Sequence, residues 1–133
     1  MERTVFALGS ALAALGVALG AFGAHTLKTR IAPEMLAVFE TGVRYQLFHA
    51  LALIVTGLVV RRRRGRAAPG AGWLFVIGTV LFSGSLYTLV LTGERSWGAV
   101  TPIGGVLWLA AWALLAFAGM RTRERVVEIG PEE

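Results

Sequence analysis

The chain has 133 residues, of which 56% are hydrophobic and 16% are charged, and its formal net charge is +5. This composition favours a membrane protein and disfavours nucleic-acid binding, which would explain the charge but leave the hydrophobicity unexplained. The absence of cysteine excludes disulfides, thiolate catalysis and thiolate metal sites within this chain.

The first predicted element is an apolar helix over residues 5–24, long enough to cross a hydrocarbon core about 30 Å thick. A signal peptide is the rival interpretation, but its apolar region spans only about 7–15 residues. Gly16, Gly20 and Ala24 are spaced four apart, which predicts a helix-packing face. The spacing leaves open whether its partner belongs to the same chain or to another subunit.

The second span is predicted over residues 42–60, after a short polar connection over residues 25–32. Pro33 suits the first turn of a helix, so we expect a short interfacial helix over 33–41 that joins the span at Gly42. A basic cytoplasmic loop over 61–72 follows. Its arginines are predicted to anchor the topology, as arginines that follow an apolar helix often do: Arg61, Arg62, Arg63, Arg64 and Arg66.

The third and fourth spans are predicted over residues 73–92 and 102–120. The Gly104–Gly105 pair inside the fourth span indicates helix packing rather than a ligand-binding turn. Residues 124–133 form a polar, acidic tail that we expect to be disordered. The predicted fold is therefore all-α, a single integral membrane domain built as a four-helix bundle.

The distribution of basic residues predicts the orientation in the membrane. With four spans, nine arginines lie on the side that holds both termini and the middle loop, namely Arg3, the five of the basic loop and Arg121, Arg123 and Arg125. Lys28, Arg30 and Arg95 lie on the other side. The positive-inside rule predicts that both termini are cytoplasmic.

Polar side chains gather at the head of the second span. They surround most of a helical projection, although each charge at the centre of a lipid-facing helix costs about 2.5–3.5 kcal/mol. We therefore expect this stretch to be enclosed by protein or to lie at the outer interface. Glu40 and Arg44 have the spacing and order of a favourable ion pair. The predicted polar pocket toward the outer leaflet comprises His25, Glu40, Arg44, Tyr45, Gln46, His49, Ser83 and Tyr87.

His49 should lie near the middle of the membrane. Thr79, Ser83 and Tyr87 form one stripe on the third span, and we expect His49 to hydrogen-bond a residue of this stripe or a buried water. A neutral structural histidine, a proton-relay or ligand-binding residue, and a metal ligand together with His25 and Glu40 are the alternative roles. The last is disfavoured because His25 should lie near the outer surface, far from His49 in depth.

The sequence carries no recognisable catalytic set. Its acidic residues lie outside the spans or at their edges, and the serines at 83 and 85 have no carboxylate-oriented histidine near them in sequence. No phosphate-binding loop or nucleotide fingerprint is present. We therefore expect a non-enzymatic protein without a cofactor or bound metal.

Four motifs carry a family resemblance, over residues 20–25, 40–49, 82–87 and 97–105. In this order they resemble the domain of unknown function 423 family, small four-span inner-membrane proteins of bacteria, and the animal transmembrane protein 256 group is similar. The resemblance covers essentially the whole chain. It implies four membrane helices but no reaction, because the family has no established activity.

Two functions remain open at this point. One is a membrane protein whose polar pocket binds or passes a small solute. The other is an assembly subunit whose glycine-rich first helix docks other membrane proteins or a second copy of the chain. The lipid bilayer is a predicted partner in both cases.

Overall fold

The computed structural model describes residues 2–62 and 65–120, apart from the side chain of Arg62. Within these ranges the chain forms four long helices and no strand. They are α1 (Glu2–His25), α2 (Pro33–Arg62), α3 (Ala67–Thr92) and α4 (Thr101–Met120). Short 3-10 turns at Leu27–Thr29 and Arg95–Ala99 lie in the α1–α2 and α3–α4 connections.

All four helices are long and apolar enough to cross a membrane. The shortest, α4, has 20 residues, which corresponds to about 30 Å at 1.5 Å per residue. Their outward faces are strongly apolar, as Val17 on α1 and Leu109 on α4 illustrate with exposed fractions of 65% and 72%. Apolar faces of this extent are expected where a helix contacts lipid rather than water.

α2 is one continuous helix of 30 residues. The interfacial helix expected over 33–41 is therefore not a separate element, because the α-helical backbone continues through Gly42. Thr41 donates a side-chain hydrogen bond of 2.8 Å to the carbonyl of Ala37, which keeps the polar side chain against its own helix. The 61–72 loop is also shorter than expected, because α2 extends to Arg62 and α3 begins at Ala67.

α1 and α2 pack antiparallel along three buried glycines of α1, Gly9, Gly16 and Gly23. A β-carbon on Gly9 would lie 2.9 Å from the carbonyl oxygen of Ala50, so the two backbones approach closely there. The seven-residue spacing is the period expected for a left-handed helix pair.

The residues predicted to form the first-helix packing face differ in how closely they approach α2, and Gly16 is buried against Leu47. Ala24 is exposed, and a β-carbon on Gly20 would make only an ordinary contact of 3.4 Å with Val43. Residues spaced four apart on α1 rotate progressively away from α2. Residues spaced seven apart stay on the α1–α2 interface. The closely packed glycines of α1 thus contact α2 of the same chain.

α3 and α4 pack through Gly78 and Gly104. A β-carbon on Gly104 would lie 2.5 Å from the backbone nitrogen of Phe82 and 2.7 Å from the carbonyl oxygen of Gly78. A β-carbon on Gly105 would come no closer than 3.9 Å to Phe82. Gly104 therefore has the packing role predicted for the pair, and Gly105 does not.

The α1–α2 and α3–α4 connections lie at the same end of the molecule, which we call the connector end (residues 26–32 and 93–100). Gly93 ends α3 with φ 73°, a left-handed conformation that suits glycine, and donates its N–H to the carbonyl of Leu89. A small apolar core of Leu27, Phe39 and Val43 fills this end. Arg63, Arg64 and the tail predicted over 124–133 lie outside the described residues.

Candidate functional site

His49 lies in an aromatic cluster that joins α2, α3 and α4. Its ring stacks on the Trp108 indole, with the centroids 3.6 Å apart and the planes within 2° of parallel. The ring centroids of Phe75 and Trp112 lie 5.8 and 6.2 Å from that of His49. Tyr45 covers the other end of the cluster, 5.9 Å from Trp108.

Both ring nitrogens of His49 have hydrogen-bond partners. Nδ1 lies 2.8 Å from the carbonyl oxygen of Tyr45, and a carbonyl can only accept, so we assign the imidazole proton to Nδ1. Nε2 then accepts from the indole N–H of Trp112, at 3.4 Å. This arrangement accommodates a neutral imidazole without an unpartnered nitrogen.

The hydrogen bond expected between His49 and the third-span stripe is therefore wrong. Thr79 donates to the carbonyl of Phe75 in its own helix, and Ser83 donates to the carbonyl of Gly42, both at 2.8 Å. Tyr87 donates to Gln46, at 2.9 Å. The stripe does face α2, but it meets α2 nearer the connector end than His49.

The sequence reasoning missed Trp108 and Trp112, which flank His49. Their i, i+4 spacing on an otherwise apolar span was visible and indicates one shared face. Room for Trp108 is provided by Gly78, where a β-carbon would lie 2.6 Å from the indole ring. The Trp108 N–H donates to the carbonyl of Phe75 at 3.4 Å, so this indole also has a hydrogen-bond partner.

Gln46 connects three helices in the interior. Its amide nitrogen donates to the Leu12 carbonyl of α1 at 2.8 Å, and its amide oxygen accepts from the Tyr87 hydroxyl of α3. Gly42 makes space for Tyr87, because a β-carbon there would lie 2.8 Å from the phenol ring. Since Leu12 lies midway along α1, these bonds hold the helices together near the middle of the span.

Glu40 and Arg44 lie elsewhere, on the exposed side of α2 near the connector end. They border an open groove of about 270 Å³ between α1 and α2, which is also lined by Gly20, Gly23, Phe39, Val43 and Leu47. In the described part of the chain, neither side chain forms an ion pair or hydrogen bond.

The ion pair expected between Glu40 and Arg44 is therefore not formed, although their spacing allows it. Both side chains are exposed on α2, and none of the described side chains pairs with either of them. The enclosure expected for this stretch is found for Gln46 and His49 but not for Glu40 and Arg44, whose side chains are exposed.

The eight residues of the predicted pocket thus occupy separate places. Gln46, Ser83 and Tyr87 lie together in the interior, His49 and Tyr45 belong to the aromatic cluster, and Glu40 and Arg44 border the groove. His25 is exposed at the end of α1. Across residues 2–62 and 65–120 there is no group of three or more His, Asp or Glu side chains that could hold a metal ion.

Comparison with known proteins identifies the family. The family described as "Protein of unknown function (DUF423)" matches residues 19–105. The chain belongs to this family. Among its relatives, the UPF0382 membrane protein YwdK of Bacillus subtilis is 44% identical over 115 residues, which cover 86% of this chain and 94% of YwdK. No solved structure matches the chain.

Two further relatives agree with this assignment. The UPF0382 membrane protein SH2409 of Staphylococcus haemolyticus is 44% identical and covers 81% of this chain and 88% of its own length. The UPF0382 inner membrane protein YgdD of Escherichia coli is 42% identical, over 84% of this chain and 85% of its own. The chain is thus a small integral protein of the inner (plasma) membrane, in a family whose activity is not established.

Proposed function

We propose that the protein is a non-catalytic membrane protein that binds a small charged or amphiphilic solute in the α1–α2 groove. The observation that carries this proposal is the pair of unpaired, opposite charges on the groove rim, Glu40 and Arg44. An ionised side chain near hydrocarbon is costly unless a partner compensates it. A ligand in the groove supplies such partners.

The interior supports a non-catalytic role. Across the described residues, no buried side-chain nitrogen or oxygen lacks a hydrogen-bond partner. Gln46, Tyr87 and Ser83 are used to connect helices, and His49 faces a carbonyl and an indole rather than a nucleophile or a carboxylate. A general base needs a free nitrogen within reach of its substrate, and His49 has none.

The orientation that we propose places both termini in the cytoplasm. The excess of arginines at the terminus side supports it, by the positive-inside rule. The groove, which lies toward the connector end, then opens to the outer leaflet.

Charge-removing substitutions on the groove rim test the proposal. Native mass spectrometry of protein released from mild detergent would detect molecules that remain bound after purification. We expect the wild type to retain an adduct that Glu40→Gln and Arg44→Gln lose. Glu34→Gln and Arg30→Gln are matched controls, because both residues are exposed near the same end but do not line the groove. Equal retention by all five proteins would contradict the proposal.

A further inference from the structure

The groove is too small to enclose a whole drug-sized ligand. Its volume of about 270 Å³ is below the roughly 300–1,000 Å³ of a pocket that encloses a whole drug-sized ligand. Gly20 lacks a side chain and so leaves space beside α1, while Val43 and Leu47 supply an apolar wall on α2. A ligand can therefore place one segment in the groove while the remainder lies in the bilayer.

The rim charges favour a zwitterion over a simple ion. Glu40 and Arg44 are one turn apart on α2, about 6 Å along the helix axis. An anion on Arg44 would be repelled by Glu40, and a cation on Glu40 would be repelled by Arg44. A ligand that carries both charges within a few ångströms satisfies both side chains.

The order of these groups along α2 matches a phospholipid. Glu40 lies nearest the connector end, where the membrane surface is, Arg44 lies one turn deeper, and Leu47 lies deeper again. In a zwitterionic phospholipid with a terminal ammonium, the ammonium is outermost, the phosphate follows and the acyl chains lie below. The guanidinium suits phosphate because its planar donors can bind two oxygens at once.

We infer that the groove binds a phosphatidylethanolamine-type lipid, with its ammonium on Glu40, its phosphate on Arg44 and one acyl chain along Val43 and Leu47. This inference rests on the proposed function and specifies its ligand. A phospholipid headgroup without a cation leaves the Glu40 carboxylate without an opposite charge and next to a negatively charged phosphate. The site therefore selects the zwitterion against an anionic lipid of equal chain length.

The test compares defined lipids on delipidated protein. Wild type in detergent is titrated with phosphatidylethanolamine or phosphatidylglycerol of matched chains, and bound lipid is counted by native mass spectrometry. We expect about tenfold tighter binding of phosphatidylethanolamine, the effect of one charge-assisted hydrogen bond. Glu40→Gln should remove this preference, and Arg44→Gln should weaken the binding of both lipids. Glu34→Gln should bind both lipids as the wild type does.

Two negative results of this experiment would contradict different parts of the proposal. Binding of both lipids with equal affinity, unchanged by Glu40→Gln, would overturn the headgroup assignment but leave the groove as a binding site. Binding of neither lipid, while the wild type keeps an adduct that the rim variants lose, would overturn only the lipid inference. Thermal unfolding of each variant confirms that it is folded, which is expected because both side chains are exposed.

Discussion

At the scale of single residues, the position of His49 explains how a histidine is tolerated deep in an apolar helix. Stacking on Trp108 and the two hydrogen bonds of the ring replace the interactions it would make with water. The sequence indicated a buried histidine that needed a partner. It could not indicate which, because Trp108 and Trp112 reach His49 from a helix more than fifty residues along the chain.

Substitution of His49 separates the stacking from the hydrogen bonds. His49→Ala removes the ring from the cluster and should lower the free energy of unfolding by about 2–4 kcal/mol, as for large-to-small changes in a core. His49→Phe keeps a ring on Trp108 but loses both hydrogen bonds of the imidazole, to Trp112 and to the Tyr45 carbonyl, which together should cost about 1 kcal/mol. Unfolding in mixed detergent micelles measures both. Equal losses would show that the stack contributes little.

The bond between Gln46 and Tyr87 can be measured by a double-mutant cycle. Tyr87→Phe, Gln46→Leu and the double variant should give a coupling of about 0.6 kcal/mol and no more than about 1.7, the range found for membrane hydrogen bonds. Gln46→Leu should cost more than Tyr87→Phe, because it also loses the bond to Leu12. Additive losses in the same unfolding assay would argue against the bond.

At the scale of elements, the sequence revealed the four helices but not their interfaces. Apolar runs and flanking charges mark each span, and these depend only on local composition. Helix contacts depend on register between distant segments. The spacing of Gly16, Gly20 and Ala24 therefore did not reveal that Gly16 packs the most closely of the three, and Gly104 and Gly105 looked equivalent although only Gly104 closely approaches the backbone of α3.

This difference between Gly104 and Gly105 gives a matched pair of substitutions. Gly104→Ala forces its new methyl group against the backbone of α3, which cannot move aside as a side chain can, and should destabilise the protein by about 1–3 kcal/mol. Gly105→Ala has room and should be close to neutral. Unfolding of both variants and the wild type in the same detergent measures these changes in stability. Similar losses would contradict the close α3–α4 approach.

At the scale of the whole molecule, the orientation decides which leaflet the groove serves. A reporter that is active only in the periplasm should be silent when fused after Glu133 and active when inserted into the Arg95–Ala99 turn, because the arginine excess predicts a cytoplasmic terminus side. The reverse pattern would place the groove in the inner leaflet without altering its chemistry.

The division of the polar residues into an internal network and an exposed charged rim also belongs to this scale. The sequence placed these residues close together on one helix and therefore suggested a single polar pocket. Their separation depends on helix rotation: Gln46 and His49 turn toward α1, α3 and α4, whereas Glu40 and Arg44 turn toward the groove. Only the packed structure determines that rotation.

Photo-crosslinking in a bilayer tests the central claim most directly. Protein reconstituted with phosphatidylethanolamine that carries a photoreactive group near the top of one acyl chain is irradiated, and the labelled peptides are mapped by mass spectrometry. We expect the label to be concentrated on residues 20–23 and 39–47 and to be lost from these segments in Arg44→Gln. Label spread evenly over the outward apolar faces, including Leu109 of α4, and unchanged by the substitution would contradict it.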